Sequence, residues 1–342
     1  MVELNGKKIL VTFLMHLGDL TLTTPFIHAL RKAAPDAHIT MLVDEKLKDV
    51  VLFNPYLDEV VTIDKKGRDN SILSLWACSR HLSKLDFDVL INLHPNERCS
   101  FIDAMTSVKL RTGTTHKIFK WFWDVFTPLD RSMHAADMYL DVLQQLGVQD
   151  LSNNSLEIFP GEEHFLEAEL FWQEQNITDQ DKLIGFNIGS AVPTKRWPPE
   201  RFAEVADIFA AKGYKTVFFG GLMDEEMVAE ATGYMQTRPI IATGHFAIGG
   251  LAAAMRRCCL IITNDSGPMH VAISQKVPIV AMYGPSNPKL YGPYTKDAVI
   301  VTAQPPCQGC ADGMKHSCDD MQCMSRMTVE QVVAAADTML DK

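Results

Sequence analysis

The chain has 342 residues, 47% hydrophobic and 22% charged, which is ordinary for a globular protein with enough core for two domains. Its net charge of −10 argues against a general nucleic-acid-binding protein, because such proteins carry a positive field. The N-terminus lacks the apolar core of a signal peptide, and no uncharged apolar run reaches the ~18 residues of a membrane span. We therefore predict a cytoplasmic protein that binds no nucleic acid.

Strand-like and helix-like segments alternate through the first half of the chain. Residues 8–13 form an apolar run typical of a buried strand, and a turn at residues 16–19 follows it. A helix is expected from about Leu22 to Ala33, where Pro25 falls in the first turn and is tolerated. Further strands are expected at residues 38–43, 59–63 and 87–93, and helices at residues 135–146 and 162–175.

The same alternation restarts in the second half. Strands are expected at residues 182–188 and 216–221, and a helix at 199–212 ends before Gly213. Two halves of one pattern predict an α/β protein with two Rossmann-like domains, whose parallel sheets face each other across a cleft. We expect an N-terminal domain at residues 1–165 and a C-terminal domain at 176–325. The last helix, residues 328–342, is expected to pack back on the first domain.

A small-residue turn between two apolar runs, residues 264–270, is the most informative motif. It follows the apolar run 259–262 and leads into a helix-like run. A strand, a turn and a helix in this order direct helix-terminal N–H groups at a bound anion. The polar and small side chains that could contact a phosphate-bearing ligand here are Asp265, Ser266, Gly267, Pro268 and His270.

Three other turns could carry chemistry, and each has a structural alternative. Asp19 follows the first strand, where it could cap a helix or act as a general base. Lys195 lies in the loop 189–198, where it could be solvated or could offset charge on a departing phosphate. Gly220 ends a strand and could form a tight connection or let the backbone approach a nucleotide.

Four cysteines cluster near the C-terminus with the spacing C-x2-C-x7-C-x4-C: Cys307, Cys310, Cys318 and Cys323. Four thiolates so close together could hold a structural zinc ion or form two disulfides. The spacer of seven residues is short for a zinc ribbon, and a cytoplasmic setting disfavours disulfides. A reduced loop without metal is the remaining alternative. The other four cysteines are expected to be reduced core thiols.

Several of these segments together resemble one enzyme family. Residues 18–25, GDLTLTTP, are similar to the N-terminal signature of the ADP-heptose:lipopolysaccharide heptosyltransferases, glycosyltransferase family 9. Residues 264–270, NDSGPMH, with 283–285, YGP, resemble the C-terminal signature of that family. The resemblance also includes residues 195–198, KRWP, and 219–221, FGG. It spans nearly the whole chain with the motifs in the family's order.

The resemblance implies a GT-B fold and an inverting glycosyltransferase that moves L-glycero-D-manno-heptose from ADP-heptose to the lipopolysaccharide inner core. It implies that Asp19 is the general base and that Lys195 contacts the donor phosphates. No cofactor is expected, because Lys195 and helix amides can stabilise the leaving ADP without a divalent ion. The other donor-binding residues that the resemblance implies are Ser190, Thr194, Gly220, Gly244, Phe246, Asp265, Ser266, Gly267, Pro268 and His270.

The acceptor implied by the resemblance is an anionic glycolipid, a lipopolysaccharide core or lipid A precursor. We expect cations for it in the first half, at Lys65, Lys66, Arg68 and Arg98. Residues 109–123 interleave cations with aromatic side chains, which suits a peripheral site on the inner face of the cytoplasmic membrane, or a solvated loop over packed aromatics. Two alternatives remain: a family-9 transferase that uses another nucleotide sugar, and an inactive GT-B protein that binds nucleotide or lipid.

Overall fold

Two six-stranded parallel sheets form the framework of the protein, one in the unit Met1–Phe159 and one in the unit Pro160–Lys342. The computed structural model describes residues 2–152, 155–304, 310, 318 and 321–342. The prediction of an α/β protein with two parallel-sheet halves is confirmed.

The first unit carries its strands in the spatial order β3-β2-β1-β4-β5-β6. They are β1 Lys8–Thr12, β2 His38–Asp44, β3 Glu59–Ile63, β4 Phe87–Asn92, β5 Val108–Gly113 and β6 Val125–Phe126. Its helices are α1 Leu17–Thr21, α2 Thr24–Ala33, α3 Ile72–Ser83, α4 Glu97–Met105 and α5 Ala135–Leu146, with 3-10 helices at Glu45–Val50 and Lys117–Phe122. Leu10 in the central strand pairs with Thr40 on one side and Leu90 on the other, and it is fully buried, as expected for a sheet covered on both faces.

The second unit repeats this arrangement, with the order β12-β11-β10-β7-β8-β9. Its strands are β7 Leu183–Asn187, β8 Lys215–Phe219, β9 Ile240–Ile241, β10 Cys258–Asn264, β11 Ile279–Met282 and β12 Ala298–Val301. Its helices are α6 Glu162–Glu174, α7 Pro199–Ala211, α8 Glu225–Tyr234, α9 Ile248–Met255, α10 Gly267–Ser274, α11 Pro288–Tyr291, α12 Gln322–Ser325 and α13 Val329–Leu340, with 3-10 helices at Pro193–Lys195 and Leu222–Asp224.

The segment after β1 differs from the sequence prediction. The expected turn at residues 16–19 is the short helix α1, and the chain turns at Leu22 and Thr23 before α2 begins. Threonine hydroxyls explain the break, because Thr21 donates to the Leu17 carbonyl at 2.9 Å and Thr23 donates to the Leu20 carbonyl at 2.7 Å. Asp19 therefore lies in the first turn of a helix.

The last helix, α13, packs within the second unit against α7 and strands β10, β11 and β12. A capping box formed by Thr328 and Gln331 starts it. Its apolar face is buried in the core of the second unit, with Val332 and Ala336 fully covered. Burial of this face against the sheet of its own unit accounts for its position within that unit.

Both sheets have the same topology, because each first strand lies beside the fourth strand of its own unit. In the first unit the strand order reverses between β1 and β4, and in the second it reverses between β7 and β10. Ligands of open α/β sheets bind beyond the carboxyl ends of the strands at such a reversal. The fold therefore marks two edges for the site, one in each unit.

Candidate active site

The edge beyond β7 and β10 begins with the turn that the sequence singled out. Asp265 follows β10, and Ser266 precedes α10 with an extended backbone, φ −154° and ψ 167°. Pro268 lies in the first turn of α10, where its missing N–H costs nothing. Ser266, Gly267 and Pro268 are half-buried, whereas Asp265 is buried. The amides at the start of this eight-residue helix can donate to an anion.

Lys195 and Asp265 form a buried ion pair at this edge. The Lys195 ammonium lies 2.7 Å from Asp265 Oδ2, and the two side chains are 13% and 7% exposed. The Ser286 hydroxyl donates to the same carboxylate oxygen. The structure thus brings together two predicted donor-site residues that are 70 positions apart, and places one cation at the start of α10.

Two asparagines that the sequence analysis missed hold this edge together. Asn187 ends β7 and donates to the Thr263 hydroxyl at 3.1 Å and to the Ser266 hydroxyl at 2.8 Å. Asn264 ends β10, donates to the Ile188 carbonyl at 2.7 Å and accepts from the Trp197 amide at 3.0 Å. A polar residue that ends a buried strand was the available signal in both cases. Their side chains tie the loop after β7 to the start of α10.

Ser190, Thr194 and His270 are all buried in this region. The Ser190 hydroxyl accepts from the Val192 amide at 3.3 Å, and its carbonyl accepts from Arg196 Nε at 2.8 Å. His270 lies one turn into α10. The loop after β7 is therefore held by its own side chains, with Lys195 at its end.

The predicted glycines meet beyond β8. The Gly244 amide donates to the Gly220 carbonyl at 2.9 Å, and Gly244 has φ +75°, which favours glycine. A Cβ on Gly220 would lie 2.9 Å from the Cβ of Asp224, and one on Gly189 would lie 2.2 Å from Asp224 Oδ1. Asp224, which the sequence analysis missed, thus fills the space that both glycines leave.

Phe246 belongs to an aromatic cluster and does not stand alone. Its ring centroid lies 5.0 Å from that of Phe171 and 4.7 Å from that of His245. Phe246 is half-buried and His245 is exposed. The cluster presents a ring at the surface of the second unit, as base stacking would need.

The edge beyond β1 and β4 holds a pocket of about 710 Å³ within the first unit. Its walls come from the segments that follow β1, β3, β4 and β5, where the strand order of the sheet reverses. The lining residues are Leu14, Met15, His16, Lys65, Lys66, Asn70, His94, Pro95, Asn96, Glu97, Arg98 and His116. Asp19 is half-buried and lies one helical turn after His16.

The predicted acceptor cations fall into two groups. Lys65 donates to the Leu14 carbonyl at 2.8 Å and to the Met15 carbonyl at 2.9 Å, and lies 3.0 Å from Asp44 Oδ2. An ammonium has three N–H groups, and Lys65 directs all three at protein oxygens. Lys65 therefore holds the loop after β1 and has no N–H group left for the glycolipid. Lys66 is exposed, lines the pocket, and makes no ion pair within the described part of the chain.

The two arginines are also engaged by protein groups. Arg98 donates to the Lys65 carbonyl and, at 2.7 Å, to Asn70 Oδ1. Arg68 lies 2.9 Å from Glu45 and 3.3 Å from Asp69, and it does not line the pocket. Of the four predicted cations, Lys66 and Arg98 therefore line the pocket without an ion-pair partner in the described part of the chain, and Arg98 is held by neutral oxygens.

Two buried groups beside this pocket have shifted pKa values. Burial lowers the pKa of His94 to about 4, with smaller contributions from Lys65 and His16, so its ring is neutral at pH 7. Burial raises the pKa of Asp103 to about 8, against hydrogen bonds from Thr12 and Cys99. The Thr12 hydroxyl lies 2.8 Å from Asp103 Oδ2. Both groups are therefore mainly uncharged at pH 7.

The cation-rich segment 109–123 is part structural and part exposed. Trp123 is buried and donates to the Thr112 carbonyl at 3.0 Å, and Arg111 donates to the Asp103 carbonyl at 3.1 Å. Lys109 pairs with Asp88 at 2.6 Å. Trp121 is 94% exposed. No helix in the described ranges is long and apolar enough to cross a bilayer.

The cysteine cluster, for which a structural zinc site was one alternative, falls partly outside the described residues, because Cys307 lies in a range that the structure does not describe. Cys310 and Cys318 are half-buried, and Cys323 is buried in the core of the second unit. Among described residues, no three His, Cys, Asp or Glu side chains are arranged to hold a metal ion.

Comparison with known proteins identifies one family. The sequence model of glycosyltransferase family 9 (heptosyltransferase) matches residues 75–318. The crystal structure of the glycosyl transferase family 9 from Veillonella parvula DSM 2008 is 53% identical, with a TM-score of 0.95, and covers 99% of this chain and 98% of that one.

Two relatives from Escherichia coli have lower identity over similar lengths. Lipopolysaccharide heptosyltransferase 3 of strain K12 is 24% identical over 341 residues, which are 94% of this chain and 95% of the relative. The structure of E. coli ADP-heptose lps heptosyltransferase II is 20% identical with a TM-score of 0.79, and the match covers 97% of this chain and 98% of that one. This likeness confirms the predicted GT-B fold.

Proposed function

Because the chain belongs to glycosyltransferase family 9 and is thus a glycosyltransferase, we propose that it transfers L-glycero-D-manno-heptose from ADP-heptose to the lipopolysaccharide inner core. The observation that carries the proposal is the cation and helix start beyond β7 and β10, where Lys195 lies 2.7 Å from Asp265. A nucleoside diphosphate is an anion that this arrangement can bind. The E. coli relatives, an ADP-heptose lps heptosyltransferase and a lipopolysaccharide heptosyltransferase, suggest the donor and the acceptor class.

The proposed reaction inverts the anomeric carbon of the heptose. Asp19 takes the proton of an acceptor hydroxyl, whose oxygen forms the new bond to that carbon while the bond to the ADP oxygen breaks. The products are the glycosylated acceptor, ADP, and a proton held on Asp19. Negative charge grows on the departing ADP, and Lys195 with the first amides of α10 offsets it.

In this scheme Asp265 positions Lys195 and does not contact the sugar directly. Its carboxylate accepts from Lys195 and from Ser286, so it fixes the ammonium at the start of α10. A bound diphosphate would share Lys195 with Asp265. The pair keeps the cation aimed at the phosphate position before the donor arrives, so little reorganisation is needed during transfer.

The acceptor is proposed to be a lipopolysaccharide core precursor at the inner face of the cytoplasmic membrane, with the protein peripheral to that surface. The pocket of about 710 Å³ beyond β1 and β4 is large enough for more than one sugar ring, and Lys66 supplies it with a cation. No metal or cofactor is part of the proposed reaction.

Release of ADP tests the function, measured with ADP-heptose and other nucleotide sugars against truncated core acceptors. We expect acceptor-dependent ADP release with ADP-heptose, and its loss in Asp19→Asn. Asp179→Asn removes an exposed carboxylate from the second unit and should transfer as the wild type does. Faster turnover with another nucleotide sugar would refute the heptose assignment. Transfer that survives in Asp19→Asn with an unchanged pH profile would remove Asp19 as the base.

A further inference from the structure

Two elements of the first unit expose large apolar side chains where a surface normally carries polar ones. On α3 these are Ile72, Leu73 and Trp76, and on the 3-10 helix Lys117–Phe122 they are Ile118, Trp121 and Phe122. Leu73 is 78% exposed and Trp121 is 94% exposed. We call these six residues the docking surface. Several large apolar side chains exposed on one short element mark an interaction site rather than ordinary surface.

Each element has a packed side and an exposed side. On α3, Leu75, Ser79 and Leu82 are buried, and Ile72, Leu73 and Trp76 lie on the neighbouring, exposed side of the helix. In a 3-10 helix, residues three apart align, so Ile118 and Trp121 form one ridge. Phe119 is half-buried, with its ring centroid 6.3 Å from that of Phe101, and Phe122, three residues later at the end of the helix, is 45% exposed.

Both elements begin at the pocket of the first unit. Asn70, two residues before α3, and His116, the residue before the 3-10 helix, line that pocket. Helix α4 contacts both elements. The apolar side chains therefore lie near the pocket in which the acceptor is proposed to bind.

The charged residues on these two elements favour a lipid bilayer as the binding partner of the docking surface. The chain has 42 acidic residues and a net charge of −10, yet the 12 residues of α3 and the six of the 3-10 helix include none. They include four basic residues: Arg80, His81, Lys117 and Lys120. Apolar and tryptophan side chains among basic ones match the interface of a membrane that contains anionic lipids.

We propose that the docking surface binds the face of a lipid bilayer that carries anionic headgroups, and that it brings the first-unit pocket to the membrane. The inference rests on the proposed function for its purpose, since a glycolipid acceptor resides in such a surface. Tryptophan and leucine side chains would enter the headgroup boundary, and the four basic residues would contact lipid phosphates.

Vesicle binding without donor or acceptor tests the proposal. We expect the protein to cosediment with vesicles of phosphatidylethanolamine and phosphatidylglycerol, and much less with phosphatidylcholine. Leu73→Ser and Trp121→Ser should each weaken the partition about tenfold, as the loss of one large buried apolar side chain implies. Leu166→Ser, at an exposed leucine of α6, is the matched control and should bind as the wild type does. Lys117→Glu with Lys120→Glu should abolish the preference for anionic lipid, whereas Lys296→Glu should not.

Tryptophan emission provides a measurement that needs no variant. Of the five tryptophans, Trp123, Trp172 and Trp197 are already buried, and Trp76 and Trp121 are exposed. Anionic vesicles should therefore shift the emission of the wild type to shorter wavelength. An unchanged spectrum together with protein that stays in the supernatant would overturn the proposal.

Other outcomes separate this proposal from the proposed function. Equal binding by the wild type, Leu73→Ser and Trp121→Ser would overturn it. So would a dimer in analytical ultracentrifugation that Trp121→Ser dissociates, because the surface would then belong to a second copy. Transfer to a detergent-solubilised acceptor without any vesicle binding would overturn the docking surface and leave the transferase intact. Vesicle binding without transfer would support the docking surface and overturn the proposed transferase function.

Discussion

The Lys195 ammonium is paired with the buried carboxylate of Asp265. Loss of Lys195 therefore affects both the stability of the fold and the turnover, and these two effects must be measured separately. Asp265 and Lys195 are 7% and 13% exposed, and breaking such a pair leaves an uncompensated charge that costs about 3–5 kcal/mol of stability. Loss of activity in a single variant could therefore reflect loss of folding. A double variant that removes both charges restores neutrality without restoring the cation.

We predict that Lys195→Ala lowers turnover by a factor on the order of 10²–10³, because a preorganised donor to the leaving ADP is lost. Lys195→Met with Asp265→Asn should recover thermal stability but not turnover. Steady-state kinetics and thermal unfolding of the two variants measure both effects. Near-normal turnover in folded Lys195→Ala would contradict the assigned role.

Lys65 and Lys66 are neighbours in sequence with different surroundings, which makes them a matched pair. Lys65 holds the Leu14 and Met15 carbonyls, whereas Lys66 is exposed at the pocket. Lys65→Met should lower kcat by about 10²-fold, because the loop that leads to Asp19 loses its anchor. Lys66→Met should raise the KM for the acceptor and leave kcat near normal. Lys65→Arg keeps the charge and should retain most of kcat. The prediction fails if both methionine variants change only KM.

Asp103 should make stability fall with rising pH. Its pKa is raised to about 8 from 3.8, so the folded protein keeps a proton that the unfolded chain releases, and stability is lost as pH rises through this range. His94 acts in the opposite sense below pH 6.5, because its pKa is lowered to about 4. The two effects offset each other up to pH 6.5, and the fall due to Asp103 remains between pH 6.5 and 8.

We predict that Asp103→Asn removes a slope of up to about 1.4 kcal/mol per pH unit between pH 6.5 and 8. Urea unfolding of the wild type and the variant at several pH values in this window measures the difference. Asp179→Asn, at an exposed carboxyl, should keep the wild-type slope. Parallel pH profiles for the wild type and Asp103→Asn would show that the buried carboxyl does not control stability.

At the scale of elements, the local sequence pattern predicted the helices and strands whose formation depends on local interactions. Strands β1, β2 and β7 were predicted from their apolar runs, because burial on both faces leaves a clear sequence signal. Helix α5 was predicted at residues 135–146, and the structure ends it at Gly147 in a left-handed cap. The two-residue strands β6 and β9 carry no periodicity, so they could not be found. The break between α1 and α2 depends on threonine hydroxyls that donate backwards, which a helical pattern does not reveal.

Contacts between distant elements explain what the sequence did not reveal at the site. Lys65 is predicted to bind the glycolipid acceptor, and in the structure its partners come from the loop after β1 and from Asp44, which ends β2. Nothing in the residues around position 65 encodes that pairing. The Lys195–Asp265 contact likewise depends on β7 and β10 being neighbours in the sheet, which the strand order and not the motif determines.

Helix α13 completes the core of the second unit, and its removal tests how much it stabilises that unit. Val332 and Ala336 are fully buried against the second sheet, and the Trp197 indole donates to the Met327 carbonyl at 3.1 Å just before the helix. A chain that ends at Met327 should lose cooperative unfolding of the second unit, because the apolar face beneath α13 becomes exposed. Removal of Asp341 and Lys342 alone, both exposed, should have little effect. Cooperative thermal unfolding of the shorter chain at the wild-type temperature would contradict this.

At the scale of the whole molecule, each unit contains a complete sheet with its own core. One buried cluster lies within the first unit and another within the second. Both sheets place a candidate binding edge where their strand order reverses. The proposed general base and the proposed donor cation belong to different units, so the proposed chemistry needs both, whereas binding of the nucleotide needs one.

ADP should therefore stabilise the second unit alone. A polypeptide of residues 160–342 retains Lys195, Asp265 and the start of α10, and its core lies wholly within that range. Saturation with ADP at about 100 times its Kd should stabilise it by about 2.7 kcal/mol, which raises its unfolding temperature. Residues 1–159 should show no such shift, and neither polypeptide should transfer heptose. Lys195→Met with Asp265→Asn in residues 160–342 should abolish the ADP shift while the polypeptide stays folded. Stabilisation of residues 1–159 by ADP would instead assign the nucleotide to the first unit and reverse the proposed roles of the two edges.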